Sequence, residues 1–230
     1  MEYGSGNDDA MRRDQEREIM YQSRFTIITV CYNAVDYIGD TIESLLKQKF
    51  TDYEYIIQDG MSVDGTMEKI VEKTSGNIKV DICSEKDVGI YDAMNKALKR
   101  AGGEFIFFLN AGDCLADNGV LARVNEYIER SSADIVYGNV FQVQKNKKEL
   151  RRYGNLCKSN FYFYMGSCIC HQAMFVKREL FKRKIFDINY LVCADREWLM
   201  FQKKNGVVME AMQFPVSIVL IEGFSSGHVK

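Results

Sequence analysis

The sequence predicts an α/β fold: a Rossmann-like, doubly wound and mostly parallel sheet, with a smaller mixed region after it. Three observations predict it. Short apolar runs, too brief for helices, alternate with stretches of helical periodicity. The fourth of these runs, Glu104 to Leu109 (EFIFFL), is almost wholly apolar, as a strand covered on both faces must be. The chain has 230 residues, 47% of them hydrophobic, enough to bury the core of one such domain.

The elements follow in order. Phe25 to Val30 (FTIITV) is a β-branched apolar run ended by Cys31-Tyr32-Asn33, and reads as a buried parallel strand. Ile38, Ile42, Leu45 and Leu46 then recur at helical spacing, with Glu43 and Lys47 four apart on the polar side, which predicts a helix over Asp36 to Gln48. The second unit pairs a strand at Tyr53 to Gln58 with a helix at Thr66 to Thr74, separated by Asp59-Gly60 and the turn-former Asp64-Gly65. The third runs from Ile78 to Cys83 into a helix at Tyr91 to Arg100. Beyond the fourth strand, Val120 to Ile128 reads as helix and Asp134 to Gln144 as strand, followed by a charged hairpin over Gln144 to Arg152. Regularity weakens after that. The aromatic stretch Asn160 to Cys170 has no clear period and fits a plain core as well as a binding wall.

Composition excludes several classes. A net charge of -2 and a pI of about 5.8 lack the basic excess that gripping a nucleic acid backbone requires, so no nucleic acid partner is expected. Seven scattered cysteines, with no zinc-finger spacing, read as reduced buried thiols. Residues 1–23 are polar and read as a tail or leading helix, and Met1 to Arg17 carry no apolar h-region, so neither a signal peptide nor a spanning helix is expected. Residues 24–230 are expected to form a single domain.

In an open parallel sheet, ligands bind outside the carboxyl ends of the strands. The acids of this chain gather there. The second strand ends at Asp59, the third leads to Glu85 and Asp87, and the fourth ends at Asn110 and Asp113. Each aspartate alone reads most simply as a turn residue or helix cap. As a set on one rim they would repel one another unless a cation or hydrogen-bond donors answered them, which points to a site for a divalent metal and a nucleobase.

Five blocks carry a resemblance: Thr29-Val-Cys-Tyr-Asn33, Asp59-Gly-Met-Ser-Val-Asp-Gly-Thr66, Gly89-Ile-Tyr-Asp-Ala-Met-Asn-Lys96, Leu109-Asn-Ala-Gly-Asp113 and His171-Gln-Ala-Met-Phe175. In order and spacing, from about Phe25 to Ser226, they resemble the family 2 glycosyltransferases of GT-A fold, nearest to bacterial members that build cell-surface polysaccharides. That resemblance implies a nucleotide-sugar half over residues 24–115 and an acceptor-side half over 116–230. It implies an inverting transferase, hexosyl or N-acetylhexosaminyl, taking a nucleotide-sugar donor of UDP type and a divalent metal, Mg or Mn. Tyr32 and Asp59 would line the base and ribose pocket, with Thr29, Asn33, Asp87, Asp92 and Asn110 around the donor. Asp113 would hold the metal. Asp195, in Ala194-Asp-Arg-Glu-Trp198, would be the general base. The resemblance also implies a glycan or lipid-linked acceptor and a cytoplasmic protein peripheral to the inner face of a membrane, where Lys145 to Arg152 (KNKKELRR) would meet anionic headgroups. A solvated hairpin is the simpler reading of that cluster.

The sequence departs from the family's pattern at three places. Asn110-Ala-Gly-Asp113 carries one carboxylate where relatives carry two or three. Met94 stands where relatives have an arginine near the diphosphate, leaving Lys96 or the metal to neutralise it. Ala194 replaces a first acid, so Asp195 is the candidate base, with Glu197 facing elsewhere if the segment is helical. Of the two histidines, His171 reads as a structural partner that orders the loop before Gln172 or else touches the acceptor, and His228, after Gly223-Phe-Ser-Ser-Gly227, is a candidate to complete the metal sphere. Trp198 reads as core rather than a sugar platform. A Rossmann dehydrogenase is disfavoured because no G-x-G-x-x-G follows the first strand. A receiver-type phosphotransfer domain is excluded by the length of chain after Asp113. A non-catalytic nucleotide-sugar-binding or scaffold protein remains the rival from another class.

Overall fold

The computed structural model describes residues 22–76, 80–144, 147–154, 156 and 169–221. Its centre is four parallel strands: β1 (Phe25–Cys31), β2 (Tyr53–Asp59), β3 (Val80–Ser84) and β4 (Phe105–Phe108), in the order β3-β2-β1-β4. Every residue of β1 and β4 is buried, so both faces of the sheet are covered there. That continuous burial is why FTIITVC and FIFF read as unbroken apolar runs rather than alternating ones.

The crossover helices are α1 (Ile38–Leu46), α2 (Thr66–Thr74) and α3 (Ile90–Leu98). The first two pack on each other, and α3 lies across β1 and β2. Helix α1 starts two residues later than its apolar spacing suggests, because the N–H groups of Tyr37 and Ile38 both bond to the Ala34 carbonyl and make a preceding turn.

The sheet then continues in mixed sense. After the short β5 (Cys114–Leu115) and helix α4 (Val120–Glu129) come β6 (Ile135–Gln144), β7 (Lys147–Arg151), β8 (Met174–Lys177), helices α5 (Arg178–Arg183) and α6 (Ala194–Lys204), and β9 (Met209–Leu220). Strand β8 pairs antiparallel with β4 and β6, β9 runs parallel to β6, and β5 closes the far edge against β9. The charged hairpin expected after Gln144 is the antiparallel pair β6 and β7. The β6–β9 register slips around Gly138, Asn139 and Pro215. A Cβ on Gly138 would come within 2.6 Å of Val216 Cγ1, so only glycine permits that close crossing.

Ser23 and Arg24 are already buried at the start of β1, with Arg24 paired to Glu104 at 2.5 Å. Trp198 is core, stacked on Phe181 with ring centroids 4.6 Å apart. The expectation of uniformly buried thiols needs correction. Of the described cysteines, Cys31 is buried, Cys83, Cys114 and Cys170 are half-buried, and Cys193 is exposed at the turn into α6. No helix among the described residues is long and apolar enough to cross a membrane.

Candidate active site

The carboxyl ends of β1, β2 and β3 form one wall. Asn33 and Met61 adopt left-handed backbone (φ 48 and 64), which turns the loops after β1 and β2 toward each other. They are stitched together: Asn33 N–H donates to Ser62 Oγ at 2.8 Å, Val63 N–H to Asn33 Oδ1 at 3.0 Å, and Val35 N–H to Asp64 Oδ2 at 3.1 Å. Asp64 also accepts from Thr66 N–H at 3.0 Å and opens α2, so the turn-residue reading holds for it. Asp59 is fully buried and accepts from Ser62 N–H, Ser62 Oγ and Ser84 Oγ, the last at 2.6 Å. These three donors hold the carboxylate in one orientation, and the Cys31 thiol adds a weaker contact to Oδ1 at 3.7 Å.

Gly60 makes the adjoining gap. A Cβ there would lie 2.5 Å from Asp87 Oδ2 and 3.3 Å from the Tyr32 ring, so Asp87 and the half-exposed Tyr32 approach each other across bare backbone. Burial raises the Asp87 carboxyl above its ordinary range, against a bond from Gly89 N–H. Asp92 is turned to structure: it accepts from Val88 N–H at 3.1 Å and pairs with Lys96 at 3.2 Å. Lys96 also donates to the Lys86 carbonyl, so this cation is engaged within its own loop. Thr29 is fully buried below the rim, where its hydroxyl donates to the Leu109 carbonyl at 2.7 Å and accepts from Tyr55.

The second wall is assembled from distant segments. Phe105 faces Lys177 and Ile106 faces Val176 in the β4–β8 ladder, so the chain preceding β8, a single 3-10 turn at His171–Ala173, arrives beside the loop that follows β4. There Asn110 Nδ2 meets His171 Nε2 at 2.8 Å, and Gln172 Nε2 donates to Asp113 Oδ2 at 3.0 Å. Strand β9 supplies the rest: Leu220 N–H donates to Asp113 Oδ1 at 3.1 Å, and Ser217 Oγ donates to the Gln172 carbonyl at 2.6 Å.

Asp195 comes to the same place in the first turn of α6, which enters through left-handed Cys193 (φ 68). His171 Nδ1 lies 3.0 Å from Asp195 Oδ2, while Asp195 Oδ1 accepts from Arg196 N–H at 2.8 Å and from Tyr91 of α3 at 3.3 Å. Helix α3 is braced against this region one turn further on, where Asn95 exchanges two hydrogen bonds with the Phe186 backbone. Glu197 points elsewhere and pairs with Lys184, so α6 presents one acid here.

The two carboxylates differ in proton affinity. Burial pushes the Asp113 carboxyl up to about 6, against the bonds from Gln172 and Leu220 N–H. Burial also acts to raise Asp195, but the His171 contact, the Arg196 N–H and the Tyr91 hydroxyl outweigh it and hold that carboxyl below its ordinary range. A buried carboxylate given neutral donors but no lysine or arginine suits a hard divalent cation, which would replace the solvation that Asp113 has lost. No group of three His, Cys, Asp or Glu able to hold a metal forms among the described residues, so Asp113 is a single anchor rather than a closed cage. His228 lies outside the described residues, as does most of Asn160 to Cys170. Sequence reasoning missed Tyr91, Asn95, Gln172 and Ser217 as contributors. Tyr91 and Asn95, two buried polar-tipped residues four apart on α3, were the available signal.

A four-stranded parallel half-sheet extended in mixed sense, with an acid after the fourth strand and another at a late helix, defines a GT-A class protein. The family model described as glycosyl transferase family 2 matches residues 26–190, and the chain belongs to that family. A PGL/p-HBAD biosynthesis glycosyltransferase of Mycobacterium tuberculosis is 33% identical over 175 residues, covering 74% of this chain and 66% of the relative. The Escherichia coli enzyme WfgD, a UDP-Glc:alpha-D-GlcNAc-diphosphoundecaprenol beta-1,3-glucosyltransferase, is 32% identical over 121 residues, 53% of this chain and 47% of its own. The chain thus spans just under two-thirds of the first relative and about half of the second. The crystal structure of Staphylococcus aureus TarS residues 1-349 in complex with UDP-GlcNAc superposes with a TM-score of 0.74 at 21% identity, covering 90% of this chain and 62% of that one. That likeness shows the fold.

Proposed function

We propose that this protein is an inverting glycosyltransferase that moves a sugar from a nucleotide-diphosphate sugar to an acceptor hydroxyl by single displacement. The observation that carries the reading is that the buried Asp113 and the half-buried Asp195 meet the same His171–Gln172 turn and are pushed in opposite directions in proton affinity. Environments that push two neighbouring acids in opposite directions mark a division of roles. Asp195 is ionised at neutral pH, which a base must be before it can take a proton from the acceptor hydroxyl as the new bond forms. Asp113 would anchor the divalent cation, which when bound offsets the charge that develops on the leaving diphosphate. Asp59, locked by three donors, would accept from the N–H of a uracil, and Tyr32 and Asp87 would flank the base and ribose. With Glu197 paired to Lys184, no second carboxylate of α6 is available as a nucleophile, which accords with inversion rather than a double displacement.

The donor is read as a UDP-sugar and the acceptor as a glycan or lipid-linked glycan in cell-surface polysaccharide or glycolipid synthesis. Support comes from the relatives: WfgD is named for a UDP-glucose donor and a diphosphoundecaprenol acceptor, and TarS was crystallised with UDP-GlcNAc. A divalent metal accords with the Pyrobaculum calidifontis mannosyltransferase solved with GDP-Man and Mn2+.

The test is nucleotide release from a panel of nucleotide sugars, with Mg2+, with Mn2+ and with chelator. Wild type should turn over in metal only. Asp195→Asn should bind donor and lose about 10²- to 10⁴-fold in kcat, the usual contribution of a positioned base. Asp113→Ala should lose the metal response. Normal turnover by Asp195→Asn would remove the base assignment, and donor binding without turnover for any acceptor would favour a binding protein.

A further inference from the structure

Resting on that reading, we infer that His171 and Gln172 form a paired clamp, in which His171 positions the base Asp195 and Gln172 positions the metal anchor Asp113. One dipeptide then sets the two reacting carboxylates relative to each other.

Asp195 needs such a partner. It sits in the first turn of a helix entered through the exposed left-handed Cys193, and no strand fixes its aim. A carboxylate has about four acceptor positions. Arg196 N–H and Tyr91 occupy the two on Oδ1, and His171 occupies one on Oδ2. The position left for an acceptor hydroxyl is therefore on Oδ2, beside the His171 bond. Whatever turns the imidazole turns the reactive lone pair.

The imidazole is itself fixed. Nδ1 faces the Asp195 carboxylate, which can only accept, so the ring proton stands on Nδ1 and Nε2 is left to accept from Asn110 Nδ2. Asn110 Oδ1 is buried without a hydrogen-bond partner among the described residues. An orphaned buried carbonyl is costly and seldom retained without reason. Turning the amide over would pair Oδ1 with Nε2 only if the ring carried both protons, since Nδ1 already donates to Asp195; with the single proton on Nδ1, the amide nitrogen faces a bare Nε2 and Oδ1 is left over. Gln172 is fixed from its other side, because Ser217, fully buried on β9, donates to its carbonyl while its own amide donates to Asp113. The clamp thus ties the loop after β4, β9 and α6, and gives each acid one contact to the same turn beside those from Leu220, Arg196 and Tyr91.

The experiment compares His171→Ala, His171→Asn, His171→Gln and Gln172→Ala. An asparagine amide sits where Nδ1 does and keeps the donor to Asp195, whereas a glutamine amide reaches the Nε2 position and serves only Asn110. His171→Ala should lose about 10²-fold in kcat, the scale of a misplaced catalytic group, with donor Kd little changed. His171→Asn should recover most of that loss and His171→Gln should not. Gln172→Ala should raise the Mn2+ concentration for half-activity by about 10- to 100-fold, as loss of a ligand's hydrogen-bond partner does, with kcat restored at saturating Mn2+. Equal activity of His171→Asn and His171→Gln, or equal losses of donor affinity and thermal stability in all four variants, would overturn the clamp.

A second readout needs no turnover. The chain has two histidines, so ¹⁵N spectra of the imidazoles, with His171→Asn identifying the missing signal, report the tautomer directly. Protonated Nδ1 with bare Nε2 is expected for His171, and the reverse would refute the arrangement. If wild type turns over no nucleotide sugar, the transferase reading fails and the tautomer alone decides on the clamp. If Asp195→Asn is inactive while His171→Ala keeps full kcat, only the clamp fails.

Discussion

Replacing Asp113 with asparagine should make the metal-free protein more stable at neutral pH and less stable in acid. The Asp113 carboxyl stands at about 6 in the fold against an ordinary value of 3.8. An acid raised in this way binds more protons folded than unfolded between those values, so stability falls as pH rises through the window and stays low above it. From 3.8 to about 6, at about 1.36 kcal/mol per unit, the ionised form costs about 3 kcal/mol at pH 7.5. Asparagine carries no charge to desolvate but gives up one of the two acceptor contacts, to Gln172 or to Leu220 N–H, at about 1 kcal/mol. The variant should gain about 2 kcal/mol at pH 7.5, or about 4–8 °C in Tm for a chain of this size. At pH 4 the aspartate is protonated in the fold, the gain vanishes and the lost contact leaves the variant about 1 kcal/mol weaker. Calorimetry in chelator from pH 4 to 7.5 would follow the crossing. Saturating Mn2+ should narrow the difference at pH 7.5, since the cation binds wild type alone. A variant less stable than wild type at every pH, or a difference that does not move with pH, would refute the account of Asp113 as an uncompensated buried acid.

Three further outcomes follow from the geometry. Gly60→Ala places a methyl 2.5 Å from Asp87 Oδ2 and should weaken UDP binding about tenfold by calorimetric titration, or about 1.4 kcal/mol; an unchanged Kd would separate Asp87 from the nucleotide. Trp198→Ala removes the stack on Phe181 and the 2.6 Å bond to the Lys184 carbonyl, and should cost about 3–5 kcal/mol in urea unfolding. Asp64→Ala breaks the bonds to Val35 and Thr66 that join the first two loops, and should cost about 1–2 kcal/mol with donor affinity reduced alongside.

The parallel half of the fold was legible because its strands are buried on both faces and its helices carry clear apolar stripes. The expected strands and helices from Phe25 to Leu109 match β1 to β4 and α1 to α3 within one or two residues wherever both ends are described. Strand β9 was not legible. Only Met212, Val216 and Ser217 of its twelve residues are buried, so it lacks both a continuous apolar run and a strict alternation. It also contains Pro215, which in sequence argues against a strand and in the structure sits where the β6–β9 register slips. Strand β8 is four residues long, below the length at which a period can be read, and β5 is two.

The same asymmetry governs the site. Asp59, Asp87 and Asp113 could be gathered on one rim from sequence alone, because in a parallel sheet the end of a strand fixes a position in space. Asp195 could not, since what brings α6 to that rim is tertiary: the antiparallel seating of β8 on β4, and Trp198 packed against Phe181. Nor could the partition among polar residues of the recognised blocks. Thr29 and Asp92 lie in the same short segments as Tyr32 and Tyr91, yet Thr29 turns inward to Leu109 and Asp92 back to Val88. A strand or helix alternates the direction of successive side chains, so proximity in a motif says nothing about which of them face the ligand. His171 is the instructive case. A lone histidine read as a structural partner, and it is one, but the groups it joins are Asn110 and Asp195, so its structural role lies inside the site.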